Sequence, residues 1–86
     1  MITKQKLEIY KLYGGDVDNL GRGMKATHQK AINGNDFYII GSLIQNITLI
    51  RNKLASKEFE EETEKMLLEN CDTMETITEI KAMTGF

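Results

Sequence analysis

The chain is poor in the residues that most often announce a chemistry. Of its 86 residues one is cysteine, one is histidine, and none is proline or tryptophan. A single thiol, Cys71, closes no intrachain disulfide, which favours a reducing compartment and leaves the core to hold the fold. A structural zinc site needs four ligands, and Cys71 and His28 cannot supply them. The lack of proline suits helices joined by short turns. No long apolar run occurs either. The most apolar stretch, residues 36–54, is broken by Ser42, Gln45, Asn46, Arg51, Asn52 and Lys53, which excludes a membrane span. Residues 1–11 carry Lys4, Lys6, Glu8 and Lys11 with no uninterrupted apolar core behind them, unlike a secretory signal. The expected location is cytoplasmic. No glycine-rich phosphate loop and no nucleophile elbow is present, so no cofactor is expected.

What is there is ordinary globular material, 41% hydrophobic and 28% charged, enough to exclude a mostly disordered chain. Residues 1–86 are expected to form a single helical domain. A chain of this length buries roughly 60–65% of its unfolded surface, so a stability on the order of 5 kcal/mol is expected.

The stretch 36–54, DFYIIGSLIQNITLIRNKL, organises the rest. At helical spacing Phe37, Ile39, Ile40, Leu43, Ile44, Ile47, Ile50 and Leu54 share an arc about 160° wide. So broad an arc predicts a central helix with neighbours on several sides, capped by Asp36. Tyr38 and Leu49 point away from that arc. Residues 3–13 read as a first helix, capped by Thr3 and ended by Gly14-Gly15, with Ile2, Ile9, Tyr10, Leu12 and Tyr13 on one face. Residues 16–35 predict a helical turn after Asp16, a loop around Gly21–Gly23, a short helix near Lys25–Ile32 and a break at Asn33-Gly34-Asn35. Ser56 is placed as the cap of the next helix, with Phe59, Thr63, Met66, Leu67 and Cys71 inward. Asp72 is placed as the cap of the last helix, with Glu75 completing a capping box and Met74, Ile77, Ile80 and Thr84 as its apolar face. The fold class is all-α. The architecture expected is a compact bundle of about four helices around a buried central one, with a long irregular connection between the first two.

The charges are unevenly placed. Residues 1–55 hold eight Lys/Arg against four acids, and residues 56–86 hold three Lys against nine. The halves either neutralise each other across the fold or leave an acidic binding face on the C-terminal half. The run Glu58, Glu60, Glu61, Glu62, Glu64 is read as spread around its helix, not converging for catalysis. Asp16, Asp18 and Gly21 occupy positions 1, 3 and 6 of a calcium loop, but Leu20 and Thr27 stand where ligands 5 and 12 belong. Cys71 on an inward stripe reads as a small buried hydrophobe more readily than as a nucleophile paired with His28. Arg22, Lys25 and Lys30 form a short basic cluster, yet a pI of about 5.4 argues against nucleic acid.

The layout of helix, long loop, helix and further helices resembles that of acyl and peptidyl carrier proteins, whose second helix starts with an Asp-Ser pair. Asp36 matches the aspartate, but Phe37 stands in place of the serine that would carry phosphopantetheine, and Ser42 lies more than a turn further on. No carrier activity is implied. The function expected is a non-enzymatic protein-interaction module, inhibitor- or immunity-like in character. It would bind another protein, a second copy of itself included, through Tyr38, Leu49, Glu58, Glu61 and Glu62. The alternative is a nucleic-acid-binding regulator using Arg22, Lys25 and Lys30. No catalytic or metal site is expected.

Overall fold

The computed structural model describes all residues, Met1–Phe86. Five α-helices follow one another: α1 (Lys4–Leu12), α2 (Ala26–Ala31), α3 (Gly34–Lys53), α4 (Ser56–Asn70) and α5 (Met74–Met83). A 3-10 turn at Val17–Asn19 sits in the connection between α1 and α2. The all-α fold is as the periodicity predicts, with the short helix near Lys25–Ile32 making a fifth.

α3 is the spine. It packs on α1 and α4, while α1 also packs on α5 and α2. Phe37, Ile40, Leu43 and Ile47 are buried along it, joined by Leu7, Ile9, Leu67, Ile77 and Ile80 in one core. Each such side chain withdrawn from water contributes about 1.5–3 kcal/mol. Burial stops at Ile47, however. Ile50 and Leu54, expected in the core, are only partly covered. The cause is length. At 1.5 Å per residue α3 spans about 30 Å, whereas α1 spans about 13 Å and cannot follow it to its end. The molecule is accordingly narrow but long, 43 × 23 × 18 Å.

Three helix starts differ from those predicted. α3 is capped by Asn33, whose side chain accepts from the Asp36 amide at 2.9 Å. Asp36 Oδ2 accepts in return from the Asn33 amide at 3.0 Å, so the two form a reciprocal capping box and the helix begins earlier. Asp36 Oδ1 also takes the Lys6 ammonium at 3.1 Å, tying α1 to the start of α3. At α4 the cap is Ala55, with no side-chain bond, and Ser56 is already helical. At α5 the cap is Thr73, which accepts from the Thr76 amide, and Asp72 instead accepts from Thr76 Oγ1 at 2.9 Å. The Asp72 amide is occupied by the Ile2 carbonyl at 3.0 Å, which keeps Asp72 extended and moves the cap one residue on.

That last bond belongs to a parallel bridge between Ile2 and Cys71, completed by the Ile2 amide donating to the Asn70 carbonyl at 2.8 Å. The segment before α1 is thereby fastened across the α4–α5 joint. Two side chains placed inward from sequence are exposed: Leu12, because α1 turns Leu7 into the core instead, and Met74, the first residue of α5. The remaining expected stripe of α4, from Phe59 through Thr63, Met66 and Leu67 to Cys71, lies inward.

Candidate functional site

The joint between α3 and α4 is two residues long. Leu54 closes α3 by donating to the Ile50 carbonyl at 2.9 Å, and Ala55 receives the Phe59 amide at 2.8 Å. So short a joint folds α4 back alongside the last turns of α3. On α4 the inward stripe begins at Phe59, which leaves Glu58, Glu61 and Glu62 on an outward arc of about 100°. Ile50 and Leu54 from the partly covered end of α3 face the same space. These five side chains line one open groove of about 440 Å³. Its lining is two aliphatic side chains from α3 and three carboxylates from α4. The acids spread around α4 as predicted in the case of Glu60 and Glu64, but these three share one groove.

None of these three carboxylates forms an ion pair. The salt bridges of the fold are Lys4–Glu75, Lys6–Asp36 and Lys81–Glu64, and only the first joins residues 1–55 to residues 56–86. The acidic excess of the C-terminal half is thus not consumed by the N-terminal half. Of the two basic residues at the end of α3, Arg51 and Lys53, Arg51 is held elsewhere. Its guanidinium lies over the Phe59 ring, 4.9 Å from the centroid, on the other flank of α4. Phe59 in turn packs on Phe86 at 5.6 Å, and Lys81 Nζ lies 4.9 Å from the centre of the Phe86 ring. Arg51, Leu54, Phe59 and Phe86 border a second groove of about 320 Å³, so Leu54 stands between the two.

Tyr38 and Leu49 are exposed, at 72% and 46%, and nothing in the chain covers them. They share a face of α3 about 16 Å apart along its axis, and neither lines the acidic groove. The structure therefore does not join all five predicted binding residues. Glu58, Glu61 and Glu62 come together, while Tyr38 and Leu49 stand apart from them. Arg22, Lys25 and Lys30 are exposed on the loop and the six-residue α2, and they border none of these grooves.

The other polar residues singled out have structural partners. His28 Nδ1 and Tyr13 Oη lie 2.8 Å apart, and Tyr13 Oη accepts from the Lys25 amide at 3.0 Å, which docks α2 on α1. Asp16 Oδ1 accepts from the Asp18 amide at 2.9 Å and caps the 3-10 turn. Burial pushes the Cys71 thiol up to about 11, with the neighbouring Asp72 carboxylate adding to the shift. A thiol so protonated at neutral pH is a poor nucleophile. No three His, Cys, Asp or Glu side chains converge as a metal-holding group. The buried Thr63 hydroxyl has no hydrogen-bond partner.

Sequence reasoning missed Ile50 and Leu54 as groove residues because periodicity places them with the core. The signal that identifies them is length, since α1, at nine residues, stops short of the end of α3 and only α4 runs beside it. Compared with protein-family models, with curated proteins and with solved structures, the chain matches none.

Proposed function

We propose that this protein is a non-enzymatic interaction module that binds a basic protein partner through the acidic face of its C-terminal helices. An inhibitor- or immunity-like role, in which the module covers the basic surface of its target, is the biological form that fits best. One observation carries the reading. Glu58, Glu61 and Glu62 bound a single groove and none is paired with a cation of this chain. Three unpaired carboxylates close together repel one another, and a cationic partner relieves that repulsion. The reading places the module in the cytoplasm, where a lone reduced thiol such as Cys71 is at home. No helix is long and apolar enough to cross a membrane.

The test compares the protein with its E58Q/E61Q/E62Q variant, each immobilised and exposed to a cell extract at low and at high salt. Basic proteins are expected on the unaltered module at low salt, released by salt and lost from the variant. The same proteins on both surfaces would overturn the reading. So would retention of duplex DNA, which the glutamates should repel.

A further inference from the structure

We infer that the groove between the end of α3 and the outer face of α4 receives one amphipathic, basic α-helix of a partner protein, its aliphatic side chains on Ile50 and Leu54 and its Lys or Arg side chains against Glu58, Glu61 and Glu62. This rests on the function proposed above and specifies its partner.

The composition of the groove sets the requirement. Its lining is two aliphatic side chains from α3 and three carboxylates from α4, so an occupant must offer apolar surface to the one helix and cations to the other. A wholly hydrophilic polycation would leave Ile50 and Leu54 wet, and an uncharged helix would leave the carboxylates unpaired. The backbone decides between a helix and an extended strand. An extended peptide gains affinity by adding to a sheet edge, and this fold has no strand beyond the isolated Ile2–Cys71 bridge. Binding must therefore come from side chains presented on one face, which a helix does at every third and fourth residue. Glu58 and Glu62 lie about 6 Å apart along α4, the same rise that separates residues i and i+4 of an incoming helix.

A second copy of this chain is a poor occupant. The longest helix with several lysines outside α3 and α4 is α1, but its apolar face is in the core and its Lys4 and Lys6 are engaged with Glu75 and Asp36, which leaves Lys11 as its one unpaired cation. Of the remaining cations outside ion pairs, Arg22, Lys25 and Lys30 belong to a loop and to a helix of six residues, which offers no continuous apolar stripe, while Lys53, Lys57 and Lys65 belong to α3 and α4, the helices that form the groove.

The experiment uses the full chain, isotope-labelled, and two synthetic peptides of one composition. In the first, a 14-residue helix carries leucine on one face and lysine on the other. In the second, the same residues are scrambled so that no face is apolar. The segregated peptide is expected to shift the backbone amides of Ile50, Leu54, Glu58, Glu61 and Glu62 and to bind at least about tenfold tighter than the scrambled one. The E58Q/E61Q/E62Q variant, with its other amides unmoved, is expected to lose at least tenfold in affinity and most of its salt dependence. Equal binding of the two peptides, with shifts scattered over the acidic half, would overturn the helix-in-groove inference and leave the acidic docking face standing. No shift with either peptide at low salt would overturn both. Shifts at the five amides that grow with protein concentration alone would assign the groove to a second copy and overturn the inference.

Discussion

Cys71 sits where α4 ends, in the bridge to Ile2, and is 5% exposed. Its thiol titrates near 9.0 when free and at about 11 in the fold, because burial and then the Asp72 carboxylate disfavour the thiolate. Between these values the folded state still holds a proton that the unfolded chain has released. The stabilisation from the neutral thiol is whole below pH 9 and is lost as pH rises toward 11, with a slope of up to about 1.4 kcal/mol per pH unit. Urea unfolding at pH 8 and pH 10 should thus show a larger loss for the unaltered protein than for Cys71→Ala. Lysine and tyrosine titrations are common to both, so an equal loss would show that the thiol is not held neutral. The sequence placed Cys71 inward from its spacing alone, since period 3.6 aligns it with Leu67 and Thr63. That same spacing could not reveal the bridge to Ile2, which pairs residues 69 positions apart.

At the scale of the element, the glycine pair after α1 separates backbone need from packing need. Gly14 and Gly15 have φ of +65° and +70°, and both are therefore left-handed. A Cβ at Gly14 meets nothing, whereas a Cβ at Gly15 would lie 2.8 Å from the Tyr10 ring, which rests on Phe37 at a centroid distance of 5.4 Å. Gly14→Ala should cost about 1–2 kcal/mol from backbone strain alone. Gly15→Ala should cost at least about 1 kcal/mol more, seen as a melting temperature lower by a further ~4–8 °C. Matching melting temperatures would mean that the Tyr10 ring swings aside from the turn at little cost. The helix stop was legible because Gly-Gly has no better use there. The helix starts were less so. Asn33, Ala55 and Thr73 displaced Asp36, Ser56 and Asp72 as caps, because a cap is chosen by where the preceding chain is pinned as well as by side-chain chemistry.

For the whole molecule, the segment before α1 is the fastener. Ile2 is 2% exposed and exchanges two backbone hydrogen bonds with the α4–α5 joint. Ile2→Ala should cost about 2–4 kcal/mol, a large part of the stability of so small a domain. Leu12→Ala, at a side chain 66% exposed, should stay within about 0.5 kcal/mol. Denaturant titration of both variants checks this, and similar midpoints would show that Ile2 is not docked. The same scale explains the groove. One helix of 20 residues outruns α1, so its last turns are only partly covered, and the two-residue joint lays an acidic helix beside them.

The amino-acid sequence alone determined the helices, the inward stripe of α3 as far as Ile47 and that of α4, the loop around Gly21–Gly23 and the uneven charge, because each is a property of composition or of neighbours in sequence. The tertiary structure alone decided that Ile50 and Leu54 leave the core, that Glu58, Glu61 and Glu62 meet them in one groove apart from Tyr38 and Leu49, and that Ile2 ties the ends together. These depend on the relative lengths of helices and on pairings between distant residues, and a helical repeat carries information about neither.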